Sequence, residues 1–140
     1  MSYQHSVMAW VGLAVAALAT APAWAQTPND VLATFKGKAA VEAPGFNGFS
    51  AERGEKFFKV KHGQDWSCVS CHTDNPAVQG KHAKTGKPID ALAPSGNAER
   101  FTDLKKTEKW FKRNCKDVLD RVCTSQEKGD VLAYLLTVRK

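Results

Sequence analysis

Cys68-Val69-Ser70-Cys71-His72 places two thiols three residues apart and an imidazole directly after the second. That is the attachment signature of a c-type haem. In such a site Cys68 and Cys71 form thioethers with the two vinyl groups, and His72 lies under the iron as proximal ligand. Two other readings of the pair are weaker. A zinc site needs a second Cys or His pair at matching spacing, and Cys115 and Cys123 are a poor fit. A thioredoxin-like pair belongs in a βαβ context that this chain lacks. The motif therefore predicts one covalent haem c, with the chain folded round it.

Upstream, Met8 to Ala19 is a short apolar run and Ala23-Trp24-Ala25 a small-x-small cleavage site. Together they predict a signal peptide over residues 1–25, cut after Ala25. The run is too short to span a bilayer, so no membrane anchor is expected after cleavage. Its n-region is irregular, carrying His5 but no Lys or Arg. A periplasmic destination agrees with the haem motif, because bacteria attach haem c outside the cytoplasm, where thiols also oxidise. Residues 26–140 then suffice for one small domain and not two, a single monohaem cytochrome c unit.

The formal net charge is +6. Its positive residues alternate with acids and form no tract, which argues against nucleic acid. Solubility or the docking of an acidic partner accounts for a charge of that size. Once the haem has taken two of the four cysteines, Cys115 and Cys123 remain. In an oxidising compartment a pair this close is expected to form a disulfide.

Helical signals follow along the chain. Thr27-Pro28-Asn29-Asp30 opens like a helix, with Thr27 as cap and Pro28 in the first turn. Ser50 caps a second helix carrying Gly54, Phe57, Phe58 and, at its end, Lys61. A glycine there implies close packing against another helix. Residues 73–96, rich in Pro and Gly, read as a loop round the haem with Ile89, Leu92 and Pro94 as apolar contacts. Lys81, Lys84 and Lys87 are candidates there to neutralise propionates. A third helix is expected from about Thr107, with Trp110 and Asn114 on one face. Thr124-x-x-Glu127 is a capping box for a last amphipathic helix, the natural partner for the Gly54 face. No stretch reads as a substantial strand, so the predicted fold is all-α, about four to five short helices.

The far side of the iron is defined by an absence. The two methionines, Met1 and Met8, fall inside the predicted signal peptide, so a thioether ligand is excluded from the remainder. His62, His82, a lysine, an amide or water remain. His62 sits in a polar turn beside the proximal motif, and His82 in a lysine-rich loop. Asn114 shares a face with Trp110 and precedes Cys115. A neutral amide there holds oxidised iron better than reduced iron and gives a lower potential than a His/Met site.

Arg100-Phe101-Thr102-Asp103, Glu108-Lys109-Trp110, Arg113-Asn114-Cys115 and Cys123-Thr124 closely resemble the sphaeroides haem protein (SHP) family of bacterial cytochromes. Ala51-Glu52-Arg53-Gly54, Thr85-Gly86-Lys87 and Leu92-Ala93-Pro94-Ser95 are similar too. The resemblance runs from about Thr27 to Leu136. It implies a class I cytochrome c-like fold, Asn114 as sixth ligand, a Cys115–Cys123 disulfide, and Trp110, Leu92 and Pro94 near the haem. It further implies that Asn114 leaves on reduction, opening the iron to O2, NO or CO, with a dihaem or other c-type cytochrome as electron donor. A plain electron-transfer cytochrome is the alternative. No distal acid–base pair of the kind a dedicated peroxidase wants is legible.

Overall fold

The structure, a computed structural model, describes residues 25–63 and 65–140. The expected signal peptide therefore lies outside the described residues, apart from Ala25. Five helices and one small hairpin follow in the order α1 (Pro28–Glu42), α2 (Ala51–Lys59), α3 (Val69–His72), β1 (Gly80–Lys81), β2 (Pro88–Ile89), α4 (Leu104–Leu119) and α5 (Ser125–Thr137). None of these helices is long and apolar enough to cross a membrane.

The caps fall where the sequence puts them. Thr27 and Asp30 form a reciprocal box at α1, Ser50 caps α2, and Thr124 with Glu127 forms the box at α5. Each satisfies amide groups that the first helical turn leaves without partners. Two boundaries differ from expectation. The second helix stops at Lys59, short of Lys61, where the chain turns toward a backbone pairing between His62 and Trp66. The helix expected from Thr107 begins at Leu104, because Asp103 accepts the Lys106 N–H at 2.8 Å and so caps it earlier.

Helices α1, α2 and α5 form the frame. A Cβ built on Gly54 would lie 1.9 Å from the Asp130 carbonyl oxygen, so α2 and α5 cross backbone against backbone. Asp130 secures that crossing, accepting from the Ser50 amide at 2.7 Å and from the Arg53 guanidinium at 2.9 Å. Val31, Phe35 and Leu132 are fully buried between α1 and α5; Phe58, Val131 and Leu135 fill the space beside α2.

Helix α4 joins this frame through side chains. Phe111 packs edge-on against Phe35 at 5.8 Å, and Glu108 bridges Lys38 of α1 and Lys128 of α5, each at 2.6 Å. A disulfide from Cys115 to Cys123 ties its last turns to the start of α5, with Cα atoms 5.7 Å apart.

The hairpin is the one departure from an all-helical reading. Gly80 pairs with Ile89 and Lys81 with Pro88, and two further bonds, His82 N–H to Lys87 O and Gly86 N–H to His82 O, close the turn at 2.8 Å each. Two-residue strands show no alternation, so the segment reads as loop in the sequence.

Candidate haem site

The Cys-x-x-Cys-His segment folds as the single helical turn of α3, held by the His72 N–H to Cys68 O bond at 3.0 Å. Helical geometry carries Cys68 and Cys71 to the same side, three residues apart. Behind α3 the hairpin approaches closely: a Cβ on Gly80 would lie 2.1 Å from the Cys71 carbonyl oxygen, and the Ala83 N–H reaches Cys71 Sγ at 3.4 Å.

Cys68, Cys71 and His72 line a cavity of about 370 Å³. Its opposite wall is α4, which contributes Trp110, Phe111, Asn114 and Val118. Phe58, Val131 and Leu135 form the floor, and Ile89, Leu92 and Phe101 close the sides. Asn114 thus faces the same space as His72 from a different element. Cys115 and Cys123 border it as well, whereas Pro94 is not among the lining residues and stands half-buried beside it.

The histidines differ in what they are free to do. His62 Nε2 is engaged by the Phe57 carbonyl at 2.7 Å, and His62 does not line the cavity. His82 does line it, but its Nδ1 accepts the Lys84 and Thr85 amides at 3.2 and 3.3 Å. In the neutral ring the proton then sits on Nε2, leaving no free lone pair. His72 has no side-chain hydrogen bond among the described residues, and burial, helped by Arg100, pushes its pKa down to about 4. At neutral pH the ring is uncharged and its lone pair is available, the form that ligates iron.

The alternatives for the cysteines lose ground on the same facts. Burial pushes the Cys68 thiol up to about 12, opposite to the depressed value a redox-active pair requires. Among the described residues no group of three or more Cys, His, Asp or Glu is assembled to hold an ion, so a closed zinc site is not formed. Two thiols, a neutral imidazole and apolar walls around one slot fit a covalent macrocycle.

Several lining residues escape the sequence. Val118 follows Asn114 by one turn, so the helical repeat could have found it. Phe101 could not have been found that way. It adopts a left-handed backbone, φ 62°, costly for a bulky residue, and packs its ring 6.4 Å from Phe111.

A family described as a domain of unknown function, DUF1924, matches residues 44–135. The c-type cytochrome protein SHP of Cereibacter sphaeroides is 39% identical over 88% of this chain and 95% of its own length. Cytochrome c'' of Methylophilus methylotrophus is 48% identical over 59% of this chain; the aligned part spans 58% of that relative. Among solved structures, oxidised cytochrome c'' superposes with a TM-score of 0.73 at 39% identity, covering 81% of this chain and 95% of the other. Oxidised SHP, described as an oxygen-binding cytochrome c, gives a TM-score of 0.69 at 35% identity over 80% and 97%. The helical, class I-like cytochrome architecture expected from the sequence is the one these neighbours share.

Proposed function

We propose, since the chain belongs to the sphaeroides haem protein family of c-type cytochromes, that it is a monohaem cytochrome whose sixth ligand is weak and lost on reduction. Cys68 and Cys71 hold the haem by thioethers, His72 gives its neutral imidazole from below, and the Asn114 amide approaches from above. The haem supplies a one-electron redox change and, when reduced, affinity for O2, NO or CO. The chain supplies the rest. Trp110 and Phe111 keep the distal side largely apolar, and Leu92 closes one side. Signal cleavage after Ala25 delivers residues 26–140 to the periplasm, where a dihaem or other c-type cytochrome provides the electron.

One observation carries the reading: Asn114 and His72 line a single cavity, while His62 is engaged elsewhere and His82 has no free lone pair. An amide is a poorer donor than an imidazole or a thioether, so the protein has little holding the sixth position once the iron is reduced. The oxygen-binding character given to SHP, and the haem-ligand detachment described for cytochrome c'' in solution, support the same behaviour here.

The test is spectroscopic. The ferric protein should show a high-spin charge-transfer band, and the reduced protein should take up CO within mixing time. Asn114→Ala should retain covalent haem but change the ferric spectrum. Low-spin spectra in both states with no CO uptake would make the protein a plain electron carrier.

A further inference from the structure

The cavity opens to solvent where its lining residues are exposed: Lys84, Thr85, Trp110, Arg113 and Asp117. Its two sides are built alike. On the hairpin side the Lys84 ammonium sits 5.5 Å from the ring centre of Trp66; on the α4 side the Arg113 guanidinium sits 5.7 Å from that of Trp110. Both indoles line the cavity, and Trp110 is 42% exposed.

Further cations extend the rim. Lys87 lies beside Lys84 on the hairpin, and Lys109 and Lys112 stand beside Arg113 on α4. All three are exposed, and neither they nor Lys84 and Arg113 form an ion pair among the described residues. Elsewhere lysines are engaged: Lys38 and Lys128 with Glu108, Lys59 with Glu55, Lys116 with Asp120. Asp117 is the one acid among the described lining residues. Exposed tryptophan beside arginine is the composition that anchors protein interfaces, and unpaired cations about an opening steer acidic partners toward it.

We infer that this rim, Lys84, Lys87, Lys109, Lys112 and Arg113 around Trp66 and Trp110, docks an acidic redox protein that passes its electron inward through the opening. The inference rests on the reading that a haem fills the cavity, but not on the identity of its sixth ligand. One electron leaves the reduced centre of the partner and is taken up by the oxidised haem; no bond in the chain forms or breaks. The cations fix orientation, and the two indoles fill the short gap between partner and cofactor.

The holo protein is mixed in stopped flow with flavodoxin hydroquinone, an acidic one-electron donor, across a range of ionic strength. The second-order rate should fall steeply as salt screens the rim. Lys84→Glu with Lys109→Glu should lower the low-salt rate by about tenfold or more. Lys36→Glu with Lys56→Glu, an equal charge change on exposed residues of α1 and α2 that do not line the cavity, should lower it by less than about threefold. Equal losses in the two pairs would reduce the effect to net charge and overturn the inference, as would a rate indifferent to salt. Should the reversed pair fail to take up haem, Lys87→Gln and Lys112→Gln are read in the same assay, each expected to slow the reaction about twofold; no change in either sinks the rim. Failure of the sixth-ligand reading registers separately, in the ferric spectrum and CO uptake.

Discussion

Asn114 and His72 face one space, yet they differ in how they can be read. The proximal pair of thiols and the imidazole are legible because covalent attachment fixes their spacing in the chain itself. Asn114 is legible only through a family resemblance, since an amide on a helix ordinarily bonds local backbone and carries no spacing signal. The left-handed Phe101 leaves no trace in sequence at all. At this scale the prediction concerns ligand strength. Asn114→His places an imidazole, a strong-field donor, on the same α4 face. The variant should be low-spin when oxidised and when reduced, and its CO uptake should slow at least about tenfold, a barrier increase near 1.4 kcal/mol. Spectra and flash photolysis read both; unchanged CO kinetics would remove residue 114 from the distal position.

The helices were readable to within a turn because their caps are local chemistry: Thr27, Ser50 and Thr124 each accept a hydrogen bond from an amide three residues on. The glycine in α2 was also legible as a close crossing, and α5 is the helix it meets. The hairpin was not, since strands this short are set by a turn and by contact with α3 rather than by a repeat. Gly54→Ala forces a methyl group into the Asp130 carbonyl, with backbone on both sides and no flexible side chain to yield. Unfolding in guanidinium should show a loss of about 3 kcal/mol. Thr124→Ala removes one cap and should cost only about 1 kcal/mol by the same measurement. A reversed ranking would mean the crossing adapts more readily than its geometry allows.

Across the whole molecule, carboxylates fasten the parts together. Glu42 at the end of α1 accepts from the Ser125 hydroxyl at 2.6 Å and its amide at 2.8 Å, and these bonds hold its pKa below the ordinary 4.5. Burial opposes ionisation of Glu108, but Lys128 and Lys38 outweigh it and its pKa also lies below 4.5. Groups depressed in the folded state contribute stability that is complete above the unfolded value and disappears as pH falls through the folded one. The denaturation midpoint of the ferric protein should therefore change little from pH 7 to about 5 and drop below 4.5; a midpoint constant to pH 3 would contradict this. Reducing the Cys115–Cys123 bond should cost about 2.5 kcal/mol, seen as a lower midpoint in dithiothreitol. The distal wall is the part fastened least deeply, by one aromatic contact, a shared glutamate and a sulfur bridge, whereas α2 and α5 lock main chain to main chain. Mild heating or dilute denaturant will thus be felt first on the side that carries Asn114, and the iron's upper neighbour will drift off while the helical scaffold still stands.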